Sequence, residues 1–163
     1  MSKSKISLAL GLVIALTAGP AFAATSGSTA KGPKGQVLTV AQSIDVPADS
    51  DVQVTGRGYN TKIGIYVTFC VIPAKGKRPE LCGPYDITGK NNDSVWVSSH
   101  PPIYAIPLVK PFGKNGTFKV KVTVRRNIGE YDCKVVRCAI LTRADHTRSD
   151  DRSADVIIPI TIK

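Results

Sequence analysis

The sequence predicts an all-β fold, a seven-stranded antiparallel sandwich of the immunoglobulin type. Apolar residues alternate with polar ones along several short runs, and turns rich in glycine or proline separate those runs. Outside the N-terminal segment, no window shows the apolar stripe of an amphipathic helix. In addition, four cysteines lie in two close pairs, Cys70 with Cys82 and Cys133 with Cys138. This pattern favours loops held by disulfides over a catalytic thiol centre.

The first 23 residues have the features of a secretory signal peptide. Lys3 and Lys5 form a positive region, residues 8–18 are mostly apolar, and Ala21 and Ala23 are the small residues that a signal peptidase reads. The pattern predicts cleavage before Ala24. The apolar stretch is too short for a convincing membrane span. We therefore expect a secreted or cell-envelope protein with no transmembrane span in its mature chain, in a compartment where cysteines oxidise.

Residues 24–35 predict a flexible tether, because they are rich in Ser, Thr, Gly and Lys and lack apolar periodicity. The folded domain is then expected over residues 36–163.

Seven runs within this domain predict strands, the clearest being 65–71, 117–124 and 156–162. Shorter strands are predicted at 36–41, 51–55, 95–98 and 136–143. The side chains expected on the inward faces of the three clear strands are Ile65, Val67, Phe69, Val71, Phe118, Val120, Val122, Val124, Val156, Ile158, Ile160 and Ile162. Pro159 lacks a backbone donor, so the last strand should lie at a sheet edge or carry a bulge.

The chain is basic, with a formal net charge of +10 that falls to +8 once Lys3 and Lys5 are removed. Such a charge suits nucleic acid, anionic wall polymer or anionic lipid as partners. The lysines and arginines are dispersed along the sequence, which favours a role in solubility.

Catalytic patterns are poor, and the sequence predicts a protein that is not an enzyme. His100 and His146 are its only histidines, and no nucleophile elbow, zinc helix or phosphate loop appears. The charged segment 143–155 offers Asp145, His146, Asp150 and Asp151 as metal ligands. It lacks, however, the glycine and oxygen spacing of a calcium loop. Ion pairing and aspartate turns are the favoured interpretation of that segment.

Motifs spread over most of residues 38–162 carry a family resemblance. They are Leu38-Thr39-Val40, 51–59, 64–70 with Cys82, 116–123 with Val124-Arg125-Arg126, Asp132-Cys133, Cys138 and 153–160. Their order, and the gap between the last two cysteines, resemble the neocarzinostatin family of secreted actinobacterial apoproteins. Members of this family are seven-stranded sandwiches that hold an enediyne antibiotic chromophore in a cleft.

The resemblance implies the disulfides Cys70–Cys82 and Cys133–Cys138, and places the first of them at the floor of the ligand cleft. It also implies an association with DNA, although no basic–aromatic stripe in this sequence supports sequence-specific binding of nucleic acid.

Residues 83–115 depart from the family, because the equivalent stretch of the chromophore carriers is far shorter. We call this segment the insert. It contains Trp96 and Tyr104, and a loop of this length is typically functional or disordered. It is interpreted as a lid, a ligand wall or a docking surface, or as a cover over a satellite core. The residues predicted to bind ligand are Tyr66, Cys70, Cys82, Trp96, Tyr104 and His146; no cofactor and no metal are predicted.

The leading functional hypothesis is a secreted carrier of a small, largely apolar ligand, held in a cleft beside the insert. The alternative is a cell-envelope module that docks a protein or an anionic polymer, with an accessory role in haem uptake.

Overall fold

The computed structural model describes residues 26–163, so the predicted signal peptide lies outside the described residues. Eleven strands and three short 3₁₀ helices make up this part of the chain. The strands are β1 (Ser28–Lys31), β2 (Val37–Val40), β3 (Ser50–Arg57), β4 (Ile65–Val71), β5 (Ser94–Val97), β6 (Val109–Lys110), β7 (Phe118–Val124), β8 (Asn127–Ile128), β9 (Tyr131–Asp132), β10 (Cys138–Ala144) and β11 (Val156–Ile160). The 3₁₀ helices are η1 (Ile103–Leu108), η2 (Lys114–Gly116) and η3 (His146–Arg148).

Two sheets form the sandwich, which confirms the predicted all-β class, although they contain nine strands rather than the seven predicted. One sheet has the order β1-β2-β3-β7 and the other the order β11-β10-β4-β5-β6, while β8 and β9 form a separate hairpin. All pairings are antiparallel except that of β5 with β6. Strand β11 lies at an edge, which accommodates Pro159 as expected.

The main core lies between the sheets and is built by the alternation seen in the sequence. Phe118, Val120, Val122 and Val124 are buried on β7, opposite Ile65, Val67 and Phe69 of β4. Residues Val71 and Ile162, also predicted to face inward, are half-buried and pack against this core.

The predicted tether is wrong for part of its length. Residues Ser28–Lys31 form strand β1, which pairs with β2 in the register Ser28 to Val40 through Lys31 to Val37. The segment lacks an apolar stripe because it adds an edge strand through backbone hydrogen bonds.

Both disulfides implied by the resemblance are present, Cys70–Cys82 and Cys133–Cys138. Among residues 26–163, no helix is long and apolar enough to cross a membrane.

The insert is structured and completes the second sheet. It contributes β5 and β6, together with η1 and η2. Consequently the outward face of β4 is covered as well: Tyr66, Thr68 and Cys70 are buried, although they point away from the main core.

Candidate functional site

The candidate site begins with a row of three side chains on the outward face of the second sheet. Arg143 of β10, Tyr66 of β4 and Trp96 of β5 are neighbours across the strands. They are only 2%, 9% and 7% exposed. Tyr66, Trp96 and Ala105 of η1 form a second core, separate from the one between the sheets.

Asp145 fixes the orientation of Trp96. The indole Nε1 donates to Asp145 Oδ2 at 2.9 Å, and Asp145 Oδ1 accepts from the backbone and the hydroxyl of Thr147. A Cβ on Gly64 would collide with this carboxylate, so the glycine creates the space that Asp145 occupies. The buried carboxylate therefore has donors on both oxygens.

His146 joins two tyrosines. Its Nδ1 lies 2.6 Å from the Tyr66 hydroxyl and its Nε2 lies 3.3 Å from the Tyr104 hydroxyl. Each hydroxyl can donate or accept, so the two contacts engage both ring nitrogens of His146. Burial, reinforced by the negative charge of Asp145, raises the pKa of Tyr66 to about 12, which keeps its hydroxyl available as a donor.

Arg143 is a buried cation held by aromatic rings. Its guanidinium lies 5.5 Å from the ring centre of Tyr66 and 5.8 Å from that of Tyr85, and Nη2 donates to the Tyr85 hydroxyl at 2.7 Å. Within the described residues, Nε is buried without a hydrogen-bond partner.

The structure therefore brings together four of the six side chains predicted to bind ligand. We call Tyr66, Tyr85, Trp96, Tyr104 and His146 the aromatic cluster. The centres of contacting rings among Tyr66, Tyr85, Trp96 and His146 lie 5.0–6.2 Å apart, and Tyr104 joins them through the contact of its hydroxyl with His146. Cys70 and Cys82 do not join it. Their neighbours Val71 and Leu81 line a separate groove of about 290 Å³ in the loop that the bridge closes.

A hollow of about 170 Å³ lies beside Trp96, between the insert and β7. We call it the insert pocket. Its apolar residues are Val95, Trp96, Leu108 and Val120. Its polar and small residues are Asp86, Gly89, Lys90, Asn91, Asn92, Lys110, Lys119 and Lys121.

The sequence did not identify Arg143 as a neighbour of the aromatic cluster. It also did not identify the residues Leu108, Lys90, Lys110, Lys119 and Lys121 of the insert pocket. The alternation of Lys119 and Lys121 along β7 was visible in the sequence, but it identifies only an outward face. Lys90 and Lys110 reach the same pocket through the fold of the insert, for which no local motif exists.

A larger cavity of about 330 Å³ lies at one end of the sandwich, beside Gln36 and Tyr59. Two of its polar side chains are already engaged: Gln36 bonds the backbone of Ser153 and of Lys34, and the Tyr59 hydroxyl bonds Thr142. The insert pocket, by contrast, is lined by four lysines.

Aspartate turns and an ion pair hold the segment 143–155 in place. Asp145 and Asp151 cap backbone turns, and Arg152 pairs with Asp155 at 3.1 Å, as the favoured interpretation predicted. The described residues contain no group of three or more acidic, histidine or cysteine side chains placed to hold a metal ion.

Comparison with known proteins yields a structural likeness only. A solved structure named macromomycin aligns with a TM-score of 0.51 and 16% identity, covering 78% of this chain and 99% of its own. No protein-family model and no curated protein sequence matches the chain. The likeness supports the β-sandwich fold that the sequence predicted.

Proposed function

We propose that this chain is an exported binding protein that holds a small, largely apolar ligand in the insert pocket. The observation that carries the proposal is a concave site whose lining includes Val95, Trp96, Leu108 and Val120, formed where the insert meets β7. Small-molecule sites are concave and combine apolar side chains with polar groups that fix the orientation of the ligand. The insert pocket supplies both kinds of residue, with polar ones in the majority. Two disulfides and the β-sandwich fold are in keeping with a protein that works outside the cell.

The size of the pocket limits the ligand. At about 170 Å³ it is close to the engineered apolar cavity of about 150 Å³ that accepts benzene. The ligand is therefore a molecule with roughly one ring, or one ring of a larger molecule whose remainder extends into solvent. The carrier role follows the neocarzinostatin resemblance, but the insert adapts the site to a smaller occupant than a multi-ring antibiotic chromophore.

Backbone amide spectra recorded with indole or benzyl alcohol test the proposal. We expect shifts concentrated at residues that line the insert pocket, and we expect Leu108→Phe to abolish them by filling the space. Leu81→Phe, which enlarges a leucine on the separate groove, is the matched control and should leave them intact. Shifts that survive Leu108→Phe, or that map to the Gln36 and Tyr59 cavity, would contradict the proposal.

A second candidate function is protein docking through the exposed surface of the insert. Five large apolar side chains of the insert are exposed: Tyr85, Ile87, Ile103, Tyr104 and Ile106. Ile103 is 88% exposed, and a concentration of such residues marks interaction surfaces.

Cross-linking in intact cell envelopes distinguishes this candidate. The double variant Ile103→Ser with Ile106→Ser should lose a cross-linked partner that the wild type captures. Val135→Ser, an equally exposed position in the Cys133–Cys138 loop, serves as the control. An identical set of cross-links in all three proteins would exclude docking through this surface.

A further inference from the structure

The insert pocket combines its apolar floor with an unusual concentration of positive charge. Lys90, Lys110, Lys119 and Lys121 all line it, and they come from the loop after β4, from β6 and from β7. All four side chains are exposed. Within the described residues, none of them takes part in an ion pair.

The only carboxylate that lines the pocket does not neutralise these lysines by contact. Asp86 Oδ1 accepts from the backbone and hydroxyl of Thr88, and Oδ2 accepts from the backbone of Asn91. Its oxygens therefore serve the turn of their own loop. Four ammonium groups against one carboxylate leave the pocket strongly positive.

The strand geometry keeps two of these charges together. Lys119 and Lys121 lie two positions apart on one face of β7, about 6.8 Å from each other along the strand. Their cross-strand partners on β3 are Thr55 and Gln53, both uncharged. Asp51 lies on the same face of β3, but its carboxylate accepts from Asn92 and Thr123 and forms no ion pair with either lysine. A concave site lined mainly by one sign of charge concentrates the opposite ion.

We infer that the ligand of the insert pocket is anionic: a small aromatic or branched apolar body that carries a carboxylate or phosphate group. The apolar body lies against Trp96 and Leu108, and the anionic group lies at the lysine rim. A neutral ring would contact only the apolar residues of the pocket. An extended polyanion would contact only the four lysines. This inference rests on the proposed function, since it concerns the same pocket.

Matched probes test the inference, with Trp96 as reporter because it is the only tryptophan of the chain. Benzoate and benzamide have nearly the same shape but differ in charge. At low ionic strength we expect the wild type to bind benzoate about tenfold more tightly than benzamide, a preference that salt should weaken. Phenyl phosphate, titrated in parallel, shows which anionic group the rim prefers.

Two double variants locate the effect. Lys119→Gln with Lys121→Gln should bring the benzoate preference to within about twofold, leaving benzamide binding unchanged. Lys31→Gln with Lys134→Gln removes the same charge from exposed positions outside the pocket and should preserve the preference. Equal binding of both probes by the wild type, or an equal loss in both double variants, would overturn the inference while leaving the proposed function in place. If neither benzoate nor benzamide binds, the inference and the proposed function are both overturned. If inorganic polyphosphate binds and benzoate does not, the inference of a small anionic ligand is overturned in favour of a polymeric anion.

Discussion

The main core and the aromatic cluster lie on opposite faces of the same sheet, yet they are built in different ways. The main core consists of aliphatic and phenylalanine side chains that alternate along strands and need only apolar neighbours. The aromatic cluster consists of side chains with polar tips, each held by a specific partner such as Asp145 for Trp96. The difference teaches that the main core makes the fold, whereas the aromatic cluster depends on where the insert places a few side chains.

The largest effect is expected in the main core. Phe69 is fully buried on β4, so Phe69→Ala should lower the free energy of unfolding by about 3–5 kcal/mol. Denaturation in urea measures the loss. Tyr104→Ala, which truncates an exposed ring of the aromatic cluster, is the contrasting variant and should lower it by less than about 1 kcal/mol. Similar losses of unfolding free energy in the two variants would remove the distinction between the main core and the aromatic cluster.

The bridge Cys70–Cys82 ties β4 to the start of the insert and so connects the two layers. Replacing both cysteines with serine should lower the free energy of unfolding by about 2–3 kcal/mol, because the unfolded chain regains the entropy of an open loop. Replacing Cys133 and Cys138, which close a shorter loop, should have the smaller effect. Calorimetry of both variants checks the order, and a reversed order would show that native contacts outweigh loop length.

Within the aromatic cluster, Trp96 and Asp145 should be coupled. A double-mutant cycle with Trp96→Phe and Asp145→Asn isolates the indole–carboxylate hydrogen bond, for which we expect about 1.5 kcal/mol of interaction free energy. Chemical denaturation of the four proteins gives this value. Additive effects would mean that the contact only fills space.

The smallest effect concerns the loop that borders the cluster. Burial raises the pKa of Asp155 to about 6, although Arg152 and Arg143 favour its charged form. Since the unfolded carboxyl titrates near 4, the native state holds the extra proton between about pH 4 and 6, and this stabilisation disappears as the pH rises through that window.

Asp155→Asn should therefore flatten the pH dependence of stability between about pH 4 and 6, because the asparagine does not titrate; the raised pKa of Asp155 already includes the opposing effect of Arg152. Melting temperatures across that range measure the change. Asp150→Asn, an exposed position of the same loop, is the control. If Asp155→Asn instead shifts the melting temperature equally at every pH, the effect comes from packing and not from titration of Asp155.

Prediction from sequence succeeded where the signal is local. The seven predicted strands are all present, because alternation reports which face is buried. Phe118, Val120, Val122 and Val124 lie inward on β7, as the pattern required. Strand β1 was missed because an edge strand that packs little apolar surface lacks that pattern. The outward face of β4 was not expected to be buried, since the insert that covers it lies far along the chain.

Sequence by itself determined the two-layer sandwich and, through the family resemblance, the pairing of its cysteines. It also selected Tyr66, Trp96, Tyr104 and His146, but gave no reason for them to meet. Tertiary structure decided that His146 lies between two tyrosines, that Arg143 is buried among rings, and that four lysines surround one pocket. The physical reason is range: strand periodicity acts over a few neighbouring residues, whereas these contacts join segments that only the folded sheets bring side by side.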